Sequence, residues 1–257
     1  MTASTRQLEA LAQADLLLLV AALLSPPGQS GREVDCDGAA LDALVERARA
    51  PGRRRLARAL KNALRQRKAL DAAALSSEHT RLFEGPVLCP VNESDYVRRD
   101  KGAILADICG FYRAFGFEPA EGSGEKPDHL VCELEFVAML LVMLARARTA
   151  HHLEARRITE EALRAFAADH LGEWLVPFCE RLNATAALRL HRLAADILAS
   201  VWRAVTRGMD LPVHVAAETP AAACPQPDEA SPCECGLAEG GRAPPLTIEG
   251  LDVRSAP

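Results

Sequence analysis

Apolar and polar positions divide this chain into helical stretches separated by short breaks. The stretch that stands out covers residues 130–145, where only Glu133 and Glu135 interrupt sixteen positions of apolar side chains. A helix apolar on nearly every side is a buried helix, and this one falls short of the ~20 apolar residues of a membrane span. It is predicted to be the central helix of the fold. Lys126 and Pro127 precede it, and Asp128 is expected to be its N-cap.

Ahead of it, helical periodicity predicts elements over residues 4–24, 40–50, 53–70 and 71–83, with Pro26-Pro27, Pro51-Gly52 and Gly85-Pro86 as stops. Residues 84–99 (EGPVLCPVNESDYVRR) are irregular yet carry Tyr96 and apolar anchors, the mark of a loop packed onto something. Asp100 caps a predicted helix to Phe115, with Ile104, Ile108, Phe111 and Phe115 on one face and Gly116 as its stop. The acidic, glycine-containing residues 118–126 read as a hinge or exposed loop. Further helices are expected over 151–169, with Ile158, Ala162, Ala165 and Phe166 inward, then over 170–182 and 186–207. The last should present Leu190, Leu193, Ile197, Val201 and Val205 on one face.

The pattern ends near Gly208. Residues 209–257 hold eight of the sixteen prolines, eight acids and two arginines, without a periodic apolar face. Such a segment cannot offset its ordering entropy. The expected organisation is one all-α helical bundle over residues 1–208, of about eight to ten helices with a hinge at 117–127, followed by a disordered acidic tail over 209–257.

Composition agrees with an all-α fold. Leu and Ala dominate, with two Tyr and two Trp, and strand-forming runs are nearly absent. A net charge of −5 argues against a dedicated nucleic-acid binder. Residues 46–68 nevertheless gather ten Lys or Arg against one acid, a stripe read first as a solvated helix face. Among the eight cysteines, Cys109, Cys132 and Cys179 sit in apolar helical patterns as small hydrophobes, which points to a reducing compartment. The apolar run at 16–24 has one Arg before it and no small-x-small site after it, so it reads as a cytoplasmic first helix rather than a signal peptide.

Candidate chemistry is sparse. No P-loop, dinucleotide glycine pattern, G-x-S-x-G or H-E-x-x-H occurs, and no cofactor is implied. Asp128 with His129 has two readings, a helix start or a catalytic pair. With Glu133 they are the residues of an alternative reading, a small metal-dependent hydrolase. Glu133 and Glu135 do not share a face; one or both are expected to meet an arginine or line a groove. Cys224, Cys233 and Cys235 are weak metal candidates, one ligand short of a structural zinc set.

Four fragments in register change that picture. Residues 78–96 (EHTRLFEGPVLCPVNESDY), 111–117 (FYRAFGF), 127–136 (PDHLVCELEF) and 170–178 (HLGEWLVPF) resemble the motifs of the TorD/DmsD/NarJ redox-enzyme maturation chaperones. The resemblance covers about residues 5–207 and leaves the tail outside. It implies an all-helical, non-catalytic, cytoplasmic protein without stable membrane insertion. Its partner would be the catalytic subunit of a molybdenum-cofactor oxidoreductase, bound through the twin-arginine leader or as the apo-subunit until the cofactor is inserted. Ser94, Asp95 and Tyr96 match the signature loop, Pro127, Asp128 and His129 the hinge motif, and Glu133 the acid just inside the following helix. All seven are expected to contact the leader. His170 and Trp174 match a motif that core packing explains equally well. The hinge also permits a domain-swapped dimer beside a monomer.

Overall fold

A computed structural model describes residues 3–28, 37–84, 87–119, 126–207, 209 and 211. Among these, nine α-helices occur in the order α1 (Ala3–Leu24), α2 (Gly38–Arg47), α3 (Arg53–Ala69), α4 (Ala72–Phe83), α5 (Lys101–Phe115), α6 (Leu130–Thr149), α7 (Leu153–Phe166), α8 (Gly172–Thr185) and α9 (Arg189–Val205). A 3-10 turn, Glu93–Asp95, precedes α5, and a π turn, Ala167–Leu171, joins α7 to α8. The only pairing of strand type among the described residues is one antiparallel bridge between Asn92 and His129. The fold is all-α, as the periodicity predicts. Residues 120–125 of the expected hinge and nearly all of the expected tail, with Cys224, Cys233 and Cys235, lie outside the described residues.

The centre is shared by two helices. α6 buries thirteen residues, among them Phe136, Val137, Leu140 and Leu141. It packs chiefly on α1, which also meets α9. Leu16, Leu17, Val20, Ala21 and Leu23 of α1 are all within 1% of complete burial. Residues Thr5–Leu24 have the length and hydropathy of a membrane span, and 67% of that stretch is buried within the fold. Its apolar run is therefore core. α9 then carries the core outward to α3 and α8.

Side-chain caps explain several boundaries. Asp37 accepts from the amides of Ala39 and Ala40, each at 2.7 Å, so α2 begins two residues before the expected start. Asp100 accepts from Ala103 N at 2.9 Å and Gly116 closes α5 at φ 65°, both as expected. Along α7 the buried residues are Ala155, Thr159, Leu163 and Phe166, while Ile158 is exposed. The expected stripe is thus met at Phe166 and one residue out of phase at Ile158 and Ala162. Thr159 can face inward because its hydroxyl donates to Ala155 O at 2.8 Å, leaving its methyl to pack.

The helix expected over 151–169 ends at Phe166. From Ala167 the backbone takes the wider π spacing and continues directly into α8, which also contains Pro177. Gly172 closes this turn: a Cβ there would lie 2.0 Å from Ala167 O. Elsewhere in the core, Cys89, Cys132 and Cys179 are buried and Cys109 is half-buried, and none of the four is in a disulfide.

Candidate functional site

The loop before α5 and the start of α6 are laced together backbone to backbone. Glu93 N donates to Asp128 O at 2.9 Å and Leu130 N to Val91 O at 2.8 Å. The Asp128 side chain completes the lacing from inside, accepting from Asn92 Nδ2 at 3.0 Å and from Ser94 N at 3.2 Å. Asp128 is fully buried. Its expected role as N-cap of α6 passes to His129, whose Nδ1 accepts from Val131 N at 3.2 Å. Two potential caps stand side by side, and Asn92 draws the carboxylate away from the helix.

Tyrosines brace both sides of this junction. Tyr96 donates to Pro90 O at 2.9 Å and lies on Trp174, with ring centroids 5.4 Å apart. Tyr112 of α5 donates to Pro127 O, also at 2.9 Å. Burial pushes the Tyr112 phenol well above its ordinary range, and the Glu133 carboxyl nearby adds to that.

Beneath the junction runs a buried polar cluster. Glu93, at 0% exposure, meets His170 Nδ1 at 3.1 Å and receives Arg99 Nη2 at 3.1 Å. His170 Nε2 lies 3.3 Å from Asp107 Oδ2, and Arg99 also reaches Asp169 O. Glu133, likewise fully buried, accepts from Trp174 Nε1 at 3.3 Å. Its Oε1 has no hydrogen-bond partner among the described residues. Burial raises Glu133 well above the usual carboxyl range, Glu93 raises it further, and the indole N–H only partly offsets this. Glu93 is raised by burial too, but His170 and Arg99 pull it back. Glu133 is therefore the neutral member, since an uncompensated buried carboxylate is far more costly than a carboxylic acid. Of Glu133 and Glu135, one or both of which are expected to meet an arginine or line a groove, Glu133 instead has Trp174 and Glu93 as partners, and the arginine goes to Glu93.

Of the seven expected contact residues, Asp95 is exposed, and Ser94, Tyr96, Pro127 and His129 are half-buried. Asp128 and Glu133 support the others from within. His129, with Leu130 and Val131, lines a pocket of about 170 Å³ between the ends of α1 and α4 and the start of α6. Leu24, Phe83, Val91 and Phe178 supply apolar wall; Ser25, His79 and Glu84 supply polar groups. His79 Nδ1 lies 3.6 Å from Glu84 Oε1.

The alternative catalytic trio is not assembled. Asp128 is engaged by Asn92 and Ser94, His129 by its own helix, and Glu133 by Trp174. No group of three or more metal-ligating side chains occurs among the described residues. Sequence reasoning missed Asn92, Glu93, Arg99 and Tyr112. Asn92 and Glu93 lay inside the signature loop, but their partners are 36 and 77 residues away in the chain. No local pattern announces such a pairing.

The site is thus a signature loop laced to the start of one of the two central helices of an all-α bundle, and the comparisons give the family that carries it. The chain belongs to the family described as the nitrate reductase delta subunit, whose profile matches residues 46–180. It is 34% identical over 122 residues to the chlorate reductase assembly chaperone protein of Ideonella dechloratans. It is 37% identical over 123 residues to the selenate reductase assembly chaperone protein of Thauera selenatis. Each alignment covers 46% of this chain and 62% of the relative. The family read from the four motifs is borne out.

Proposed function

We propose that this chain is a non-catalytic assembly chaperone for the catalytic subunit of a molybdenum-cofactor oxidoreductase. In this reading it works in the cytoplasm, binds the twin-arginine leader or the apo-subunit, and holds the client until the cofactor is inserted. The relatives named as assembly chaperones for chlorate and selenate reductases support the chaperone role.

The observation that carries the leader-binding part is the pocket at His129. A leader offers apolar side chains beside two guanidiniums and has little structure of its own. The pocket offers apolar wall with the exposed Glu84 carboxylate among its lining residues, and charge-assisted bonds from a guanidinium are among the stronger polar contacts. The accessible motif residues Ser94, Asp95, Tyr96, Pro127 and His129 then contact the client. Asp128 and Glu133 hold that surface in shape.

Isothermal titration tests this with the twin-arginine leader encoded by a neighbouring molybdoenzyme gene. Saturable binding is expected, weakened at least several-fold by His129→Ala and by Glu84→Lys. Absence of heat at high micromolar concentration, with both the peptide and the full-length client, would falsify the reading.

A further inference from the structure

The basic stripe of residues 46–68 becomes, in three dimensions, one face of α3. Arg53–Ala69 holds eight Lys or Arg and no acid. Leu56, Ala57, Leu60, Ala63 and Leu64 are its buried side. Arg54, Arg58, Lys61, Arg65 and Lys68 recur at alternating intervals of four and three, so they form a single line on the solvent side, roughly 21 Å long at 1.5 Å per residue. Arg55, with Arg47 and Arg49 at the corner leading in from α2, widens the line.

The acids alongside are already engaged. Lys61 pairs with Asp42 of α2 at 2.7 Å, Arg53 pairs with Glu46, and Asp37 accepts from the amides that begin α2. Arg47, Arg49, Arg54, Arg55, Arg58 and Arg65 are exposed, and none of the six meets a carboxylate among the described residues.

Local preference is overridden twice at this corner in favour of arginine. Arg49 holds φ 53°, in the left-handed region that favours Gly or Asn. Arg53, Arg54 and Arg55 fill the first turn of α3, which has no acid and whose N-cap, Gly52, offers no side-chain acceptor. The helix dipole favours acids there, and like charges one turn apart repel. Cations thus stand where neutral residues would be more stable, and such departures gather at functional sites.

We propose that this face of α2 and α3 docks on a lipid surface rich in anionic headgroups. The other accessible residues of α3 are Ala59, Asn62, Gln66 and Ala69. The helix therefore offers no aromatic or long apolar side chain to anchor a protein partner or to stack a base. A charged bilayer needs no such anchor. Adsorption is a sum over cations, each worth roughly fivefold in partition, and a straight line of them lies flat on a plane. The chain as a whole carries a net charge of −5, so an anionic surface attracts this face and repels the rest. None of these cations lines the His129 pocket, so adsorption and client binding can be measured apart.

The test is co-flotation of the full chain with vesicles. Binding is expected to vesicles of phosphatidylglycerol and phosphatidylcholine in equal parts, and none to phosphatidylcholine alone. Raising salt from about 0.1 M to about 1 M, where the Debye length falls from ~10 Å to ~3 Å, should release the protein. The variant R54Q/R58Q/R65Q removes three exposed charges and no ion pair. Its partition should fall on the order of a hundredfold, without loss of melting temperature. R146Q/R164Q/R189Q lowers the charge equally at exposed sites on α6, α7 and α9 and should bind close to wild type. Failure of wild type to float with the anionic vesicles, or equal losses in the two variants, overturns the proposal. Tighter binding to poly-glutamate or duplex DNA than to those vesicles, lost in R54Q/R58Q/R65Q, assigns the face to an acidic protein or a nucleic acid and overturns it as well. Leader binding at His129 enters none of these readouts.

Discussion

Asn92 holds Asp128: the amide nitrogen of one lies 3.0 Å from the carboxylate of the other, across 36 residues of chain. With Ser94 N as second donor, that carboxylate fastens the signature loop to the start of α6. Asp128→Ala leaves two donors without an acceptor and should cost about 2 kcal/mol, within the range for unsatisfied buried groups. Asp128→Asn keeps an acceptor and should cost less. Urea unfolding midpoints decide it, and an unchanged midpoint for the alanine variant would show that the clamp contributes nothing.

Glu133 gives a stability effect of opposite sign. Its folded carboxyl is raised above the unfolded value, so the folded state binds the extra proton as pH climbs above the usual carboxyl range. Glu133 thus contributes stability at low pH that is lost as pH rises through this window. Glu133→Gln keeps an acceptor for Trp174 and never ionises. Its melting temperature should exceed that of wild type at pH 8, and the gap should close towards pH 4. A gap that widens on acidification would refute the assignment of Glu133 as the neutral member.

Acid should loosen the packing of α4 against α9 in two stages. Burial lowers His191 from 6.5 to about 4. Between these values the unfolded chain takes up a proton that the folded chain refuses, so stability falls as pH drops, by up to about 1.4 kcal/mol per unit. Burial raises Glu78, but Arg81 and the amides of Leu188 and Ala187 outweigh it and bring it down to about 2. Its contribution is complete above 4.5 and fades below. His191→Leu should flatten the unfolding free energy between pH 6.5 and pH 4 while leaving the steeper loss below. An unaltered slope in that interval would count against His191.

Gly172 is the residue that the π turn requires. Gly172→Ala places a Cβ on Ala167 O, and relieving that overlap should cost about 1–3 kcal/mol, as overpacking does. His170 lies within this turn, so its contact with Glu93 should be disturbed as well. Calorimetry on the variant would show a lowered melting temperature; wild-type behaviour would mean that the helix closes without the turn.

Where information was local, the sequence was readable. Asp100 and Gly116 bound α5 as expected because a cap and a left-handed stop act within one turn. Helix α6 was evident from its apolar run, yet its capping residue was not, since Asn92 had to be in place before Asp128 was drawn inward. In α7, Ile158 suggested one phase and Thr159 concealed another, because its hydroxyl bonds to its own helix. The polar cluster was out of reach. Glu93, Glu133 and His170 are ordinary surface residue types, and only the pairing of segments far apart in the chain makes them interior. Of the motif residues, His129 proved accessible in a pocket, whereas Asp128 and Glu133 proved to be its foundation.

The core thiols have a consequence for where such a protein can work. Burial pushes Cys89 and Cys179 each up to about 12. At neutral pH on the order of one such thiol in a hundred thousand is ionised, and it is the thiolate that oxidants and alkylating agents attack. These two thiols are thus chemically quiet towards peroxide, disulfides and electrophiles, and the packing that Cys89 shares with Tyr96 survives swings in the surrounding redox poise.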